Sequence, residues 1–552
     1  MNKKTLIEIL FFGAITALIL GRLLLPGYVL TLDMIFTPEL RVIFSSVGLN
    51  NALPLAIFLS GLNYIFPSWV IQKIVLVGIF FCLGYLSYKF LPTSQNKIAR
   101  LFCALVYAVN PFVYGRFLAG HWTHLAAYAI LPVFVFYLLQ FTNAPNIKSS
   151  LKLFSSIFLI SLFSLHFFAM TVLTMAFTLV ITLIKALVDK KFSLAGLALK
   201  YILIGGLLFL AVSAYWIAPA IGHRQAVGQR FDAQHWVAFA PAGHGSIPVW
   251  LNLLSLNGFW GEGQPWAGHF IWPQDYLVFW AAFVLIIILI LIGIFSSIKY
   301  KETRHLVIFF CLLGLAAFIF STGASDTVFK NFNVWLYENI FFWPGFRDSQ
   351  KFIGLLALSY TALSGFGVAT VIEYFKKRPP FARNFLVAVI FLVPIFFGYL
   401  VWGGFHGQLR SVWYPDVWLQ AKQIIQDDKA DYKVLFLPWH GYYSLSFNND
   451  LIVANPAQGF FGDKSLVSRS VELDGIYDQE INDSYRRLDK MIISGRDEAI
   501  DYFIKQKIKY IIYIQDLVGM DKLTYVFLKS DRLRIVINDN RLIMYEIIDK
   551  KL

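Results

Sequence analysis

A series of apolar runs, each close to the roughly 20 residues that a helix needs to cross a hydrocarbon layer, constrains this chain more than any other feature. The runs fall near residues 5–25, 70–91, 98–114, 121–142, 152–166, 168–188, 197–220, 276–298, 305–322, 352–375 and 384–404. A bilayer offers the backbone no water to bond, so such runs fold as helices. The expected fold is therefore mainly α: a polytopic transmembrane helical bundle of about eleven spans. Composition agrees, with 58% hydrophobic and 14% charged residues against about 25% charged in a soluble domain. Segment 53–66 is too short to span and reads as interfacial or re-entrant. The 152–188 block has room for a tight hairpin of two short helices with His166 at its tip.

The loops orient the bundle. Lys3 and Lys4 precede the first run, and no small-residue cleavage site follows it, so that run is expected to stay as a helix. With these lysines on the cytoplasmic side, the clusters at Lys89–Arg100, Lys148–Lys152, Lys185–Lys191, Lys299–Arg304 and Lys376–Arg383 all join them, as the positive-inside rule requires. The net charge of +14 is thus a topology signal, and no nucleic-acid partner is expected. The reading is a multi-pass plasma-membrane protein with a cytoplasmic N-terminus. Loops 26–69, 221–275 and 323–350 then share the outer face of a 1–410 membrane domain. Cys82, Cys103 and Cys311 all lie inside apolar runs, so no disulfide framework is implied.

From residue 411 charge density rises and the long apolar runs stop. Lys433–Pro438 and Lys509–Ile514 read as buried strands, Ala499–Lys507 and Asp521–Lys529 as helices, and Arg534–Asn538 with Arg541–Ile547 as a hairpin. Residues 411–552 are expected to form a small extracytoplasmic α/β domain.

Four outer segments carry chemistry-bearing residues. The first loop holds Asp33 and Glu39 in an apolar setting with no basic residue between Arg22 and Arg41. A carboxylate there can act as a general base, or simply be a solvated loop acid. In Asn110–His124 (NPFVYGRFLAGHWTH), Pro111, Gly115 and Gly120 set a turn that holds Arg116 and His121 at the boundary. They suit phosphate, or else anchor the chain at lipid headgroups. Loop 221–275 contains Arg224, His235, Trp236, Trp260, Glu262 and Trp266, a mixture fit for sugar or lipid-carrier contact or for an interfacial lid. Its histidines lack metal-ligand spacing, so no metal site is assigned. In Phe342–Phe352 (FWPGFRDSQKF), Arg347 and Lys351 share a face if the segment is helical, with Asp348 placed to cap the helix or orient Arg347. The aromatic loops LPWHGYY (437–443) and NPAQGFF (455–461) suit a carbohydrate patch, and no nucleophile-elbow, P-loop or CxxC motif is present.

The pattern of spans, a first-loop acid, polar outer loops and an outer domain resembles the GT-C superfamily of polytopic glycosyltransferases. NPFVYGRFLAGHW and GFRDSQKF are similar to segments of YfhO-like proteins and of the membrane region of arabinofuranosyltransferase D-type proteins. This resemblance covers about residues 1–405. It implies a polyprenyl-phosphate sugar donor, a glycan or glycolipid acceptor and inversion at the anomeric carbon. Asp33 would be the catalytic base with Glu39 as its partner acid. Arg347, Lys351, Arg116 and His121 would bind the donor phosphate. The wide Asp33–Glu39 spacing leaves open whether a divalent cation, Mg or Mn, takes part. Two other readings fit the chain: a flippase or transporter for a lipid-linked glycan, and a non-catalytic glycan-binding scaffold.

Overall fold

A computed structural model describes residues 3–42, 50–222, 233–264, 267–268, 270–468, 472–473, 476–477, 483–518 and 525–548. Among them, ten helices are long and apolar enough to cross a membrane. The expected eleventh crossing falls in Ile147–Phe163, whose 17 residues carry five serines and two lysines. This helix nevertheless runs beside Phe192–Gly222. Ser150 donates to the Tyr201 carbonyl at 2.6 Å. Further along, Asn51 joins the two by donating to the Ser161 carbonyl at 2.7 Å and accepting from the Tyr215 hydroxyl at 2.6 Å. The two helices are therefore parallel, and Leu165–Val188 returns between them in sequence. Ser164, extended and hydrogen-bonded to the Phe167 amide, makes the reversal. The 152–188 block is thus a hairpin of two helices. Leu53–Asn63 is a short apolar helix, below spanning length.

The two most enclosed spans are Lys97–Leu118 and Ser349–Phe375, and each carries one of the motif segments. The first is broken. Asn110 ends one half by donating to the carbonyls of Val106 and Tyr107, both at 2.9 Å, and starts the next by accepting from the Val113 amide at 3.1 Å. Pro111 follows at the first helical position, where its missing amide costs nothing. One side chain thus satisfies backbone groups on both sides of a break at membrane depth. The second central span packs against Leu277–Ser297 at glycine distance: a Cβ on Gly367 would lie 1.9 Å from the Leu289 carbonyl oxygen.

The C-terminal unit has a five-stranded sheet in the order β10-β11-β9-β3-β6. Its strands are β3 (Lys433–Leu437), β6 (Ser465–Leu466), β9 (Ile508–Ile514), β10 (Leu533–Asn538) and β11 (Leu542–Ile547). The expected strands and hairpin are present, as is the helix Ala499–Lys505. Of Asp521–Lys529, residues 521–524 lie outside the described residues and Val526–Lys529 forms a 3-10 turn. The side pairing β4 (Tyr442–Ser444) with β5 (Ile452–Ala454) is not legible in the sequence, because each strand has only three residues, too few to show an alternation.

This unit is sewn to the first loop. β1 (Tyr28–Val29) pairs with β2 (Ser411–Val412). On the other edge of Val29, Gln72 from the Ser68–Phe90 helix bonds both its amide, at 2.9 Å, and its carbonyl, at 2.7 Å. Leu32 donates to Ile452 and accepts from Ala454, each at 2.9 Å. Underneath, the loop rests on the turn after the broken span: Thr31 donates to Leu118 at 2.6 Å and the Asp33 amide to Ala119 at 3.3 Å. Gly120, at φ +77°, allows this approach, since a Cβ there would meet the Met34 amide at 2.2 Å and the Thr31 carbonyl at 2.4 Å. Gly120→Ala is expected to displace the Asp33 loop and to cost at least the ~1–2 kcal/mol of a left-handed non-glycine residue. A lower melting temperature of the purified protein in detergent is the check.

Candidate active site

The two motif segments meet in a buried ion pair. Arg116 Nη1 and Nη2 bond the two carboxylate oxygens of Asp348 at 2.5 and 2.9 Å, and both side chains are almost fully buried. Gln350 Oε1 accepts from Nη2, and its amide nitrogen donates to the Asn257 carbonyl at 3.2 Å. The guanidinium lies over the Phe259 ring at 5.3 Å. Burial pushes the Asp348 carboxyl up, but the charges of Arg116 and Lys351 outweigh this and hold it well below the usual range. Both terminal nitrogens of Arg116 are therefore taken up by protein groups, which makes the side chain a clamp between the two segments, while among the described residues its Nε has no hydrogen-bond partner. Asp348 neither caps a helix nor orients Arg347, because the chain tightens into 3-10 turns on both sides of it.

From the clamp a chain of bonds leads to Asp33. Arg116 Nη1 donates to His121 Nδ1 at 3.2 Å, and His121 Nε2 faces Asp33 Oδ2 at 3.1 Å. Since Arg can only donate, Nδ1 must accept, which makes His121 a neutral imidazole with its proton on Nε2. Burial and the charges of Arg116 and Lys351 act the same way, holding the imidazole pKa below its ordinary value against the pull of Asp33. Both nitrogens of His121 are thus used, and its expected phosphate role gives way to orienting Asp33. The second carboxylate oxygen, Oδ1, accepts from the Tyr442 hydroxyl at 2.8 Å. Burial raises the Asp33 pKa, but the His121 and Tyr442 bonds and the Lys351 charge bring it below the ordinary value. The Asp33 side chain is still 46% exposed. It is a fixed carboxylate open on one side. Leu32, just before it, has φ +36°, a strained conformation for a branched residue, held by its two bonds to β5.

Lys351 lines the other wall. Its ammonium is 3.5 Å from Asp348 and 3.2 Å from His166 Nε2, and His166 also faces the Gly345 carbonyl at 3.0 Å. Arg347 lies over the Phe239 ring at 4.4 Å, and Trp260 meets the same ring edge-on at 4.7 Å. The structure thus brings Asp33, His121, Lys351, Arg347 and Trp260 to one region.

Other expected site residues that the structure describes have partners of their own. Glu39 bonds Lys422 at 2.7 Å, Arg41 at 2.6 Å and Gln426 at 3.1 Å. Burial raises its carboxyl, but Lys422, Arg41 and Gln426 together outweigh this and bring it down to about 2. It is an ion-pair seam to the C-terminal unit, where Asp33's own partners do not reach. The two first-loop acids keep separate partners, His121 and Tyr442 on Asp33 and Lys422, Arg41 and Gln426 on Glu39. Among the described residues, no three His, Cys, Asp or Glu are grouped to hold a metal ion. Glu262 is buried and accepts from Asn252, Gly258, Phe259 and Gln274 at 2.8 to 3.1 Å, so it knots its own loop and does not face a sugar. Burial pushes its carboxyl up to about 7. His235 is buried, and Trp236 is buried and stacked on Tyr337 at 4.8 Å. Arg224 and Trp266 lie outside the described residues.

The sequence reading missed Tyr442 as a partner of Asp33, although its loop stood out for aromatics; 409 positions separate the two. Arg116→Ala, leaving the buried Asp348 with Lys351 alone as counter-charge, is expected to destabilise the protein by about 3 kcal/mol, the low end for a broken buried pair. Asp348→Asn added to that variant should recover part of the loss in a detergent melting series. Because the folded Asp348 pKa is depressed, the pair's contribution is complete above the ordinary carboxylate range and is lost as pH falls through the folded value.

No protein-family model and no curated protein matches this chain. Solved structures do. The arabinofuranosyltransferase AftD from Mycobacteria aligns over 100% of this chain and 40% of its own, with a TM-score of 0.63 and 13% identity. A structure of its R1389S mutant aligns over 100% and 42%, with a TM-score of 0.64 and 12% identity. This chain therefore spans about two fifths of the length of those proteins. At such identity the likeness establishes the fold: the chain is a multi-pass helical membrane protein that shares the fold of the aligned part of AftD.

Proposed function

We propose that this chain is a membrane glycosyltransferase that moves a sugar from a polyprenyl-phosphate donor to a hydroxyl of a glycan or glycolipid acceptor, with inversion. The observation that carries this reading is a fixed, ionised and accessible carboxylate, Asp33, in a cluster whose other wall is cationic. The AftD fold supports the reaction class. Orientation by the positive-inside rule puts the site and the C-terminal unit on the extracytoplasmic face, where a lipid-borne donor needs no nucleotide.

In this mechanism the acceptor hydroxyl gives its proton to an Asp33 oxygen as its own oxygen attacks the anomeric carbon. The bond from that carbon to the phosphate oxygen breaks on the opposite face, and its electron pair leaves with the polyprenyl phosphate. Lys351 and Arg347 stabilise the charge that develops there. Trp260, beside Phe239, offers an apolar face for a sugar ring. No step uses a metal ion.

Two expectations follow. Asp33→Asn should retain binding of polyprenyl phosphate, measured on the purified protein, while transfer falls by about 10²–10⁴-fold; Lys351→Ala should weaken that binding. Full transfer by a folded Asp33→Asn protein would falsify the base assignment, and absence of carrier binding would favour the scaffold reading. Because the base titrates below the ordinary carboxylate range, kcat/KM should stay flat as pH falls through 5, with its acid limb only below the ordinary Asp value of about 3.9. A profile that halves near pH 6 would contradict Asp33 as the titrating group.

A further inference from the structure

The C-terminal unit reaches the site through a ladder that starts at the strained loop. Leu32 is bridged to Val453 of β5, and β5 pairs with β4 so that Ala454 stands opposite Tyr442. Leu32 accepts from the Ala454 amide, so the residue before Asp33 and the residue opposite Tyr442 are directly bonded. This register aims the Tyr442 hydroxyl at Asp33 Oδ1. The ring is 37% exposed, so the arrangement is not a by-product of core packing.

We propose that Tyr442 is a positioning residue for Asp33, so that the C-terminal unit completes the active site and is not an accessory module. The inference rests on the transferase reading for its consequence but not for its geometry. With His121 on Oδ2 and Tyr442 on Oδ1, the carboxylate cannot rotate about its Cβ–Cγ bond without losing both bonds. Each oxygen has spent one acceptor site and keeps another for the acceptor hydroxyl. A freely turning carboxylate would meet that hydroxyl in poor geometry much of the time, which is the cost that fixed catalytic groups avoid. Tyr442 keeps its own proton: burial and the adjacent Asp33 charge push its phenol well above its ordinary value, against a smaller opposing effect of Arg347. The ionisable groups acting on Asp33 are His121 from the turn after the broken span, Tyr442 from β4 and Lys351 from the second central span. Arg116 acts through His121. Only Tyr442 comes from the C-terminal unit.

The test is Tyr442→Phe in the full chain, which removes one oxygen and keeps the ring. Asp33 is modified with a water-soluble carbodiimide and glycine ethyl ester across a pH series, and the labelled peptide is quantified by mass spectrometry; only the protonated carboxyl reacts. Losing a donor to the charged form raises the carboxyl pKa, so the labelling midpoint of Tyr442→Phe should rise by roughly one pH unit. In transfer assays kcat should fall about tenfold to a hundredfold, the size of one hydrogen bond to a charged group, with the donor KM unchanged and the acid limb moved upward. Tyr443→Phe is the control. Its hydroxyl bonds the Pro438 carbonyl inside the C-terminal unit, so its loss should lower stability without moving the midpoint. A midpoint and kcat within about twofold of wild type in Tyr442→Phe, or an equal midpoint shift in Tyr443→Phe, would overturn the proposal. A shifted midpoint in a protein that transfers no sugar would support the Asp33–Tyr442 coupling and overturn the transferase reading instead.

Discussion

The Arg116–Asp348 pair is the interaction on which the rest of the site depends. Two charges with almost no exposure are tolerable only because the fork of one matches both oxygens of the other. That match ties the broken span to the start of the second central span. The second donors of the guanidinium's two terminal nitrogens go to Gln350 and to His121. One consequence is a fixed tautomer: an arginine can only donate, so the imidazole must present its own proton to Asp33. The clamp thus sets both the packing of two buried helices and the protonation of the residue that holds Asp33.

The helix break at Asn110 makes this possible. The break lets Pro111–Leu118 run as a separate short helix, and its carbonyl end, with Gly120, becomes a seat for the first loop. The C-terminal unit closes the seat from the other side. Leu32 is strained between these two supports: its own two bonds go to β5, and its neighbours Thr31 and Asp33 bond the turn below. A carboxylate on a free loop would sample many positions; this one is fixed by a membrane helix on one side and a strand pairing on the other.

The carboxylates and cations of the outer loops separate by environment. Asp33 keeps a polar open side and two neutral donors. Asp348 is fully enclosed by cations and can take no part in proton transfer. Glu39 is spent on an ion-pair seam, and Glu262 is spent on its own loop. Four acids that look interchangeable along the chain become one accessible carboxylate and three structural ties, and the difference lies in which donors surround each.

The sequence alone determined the helical membrane fold, the hairpin at 152–188, the strands β3, β9, β10 and β11, and the two motif segments. These follow from run length, alternation of basic loops and local periodicity, all of which act over a few turns of chain. It also singled out Asp33 by its setting. Tertiary structure decided what each polar residue does. Arg116 and Asp348 are 232 positions apart, and Asp33 and Tyr442 are 409 apart, so no local pattern links either pair. Arg116 on a boundary helix reads equally as a phosphate ligand or a headgroup anchor until its partner is in place. The role of a buried polar group is fixed by whatever satisfies its hydrogen bonds, and here those partners arrive from distant segments.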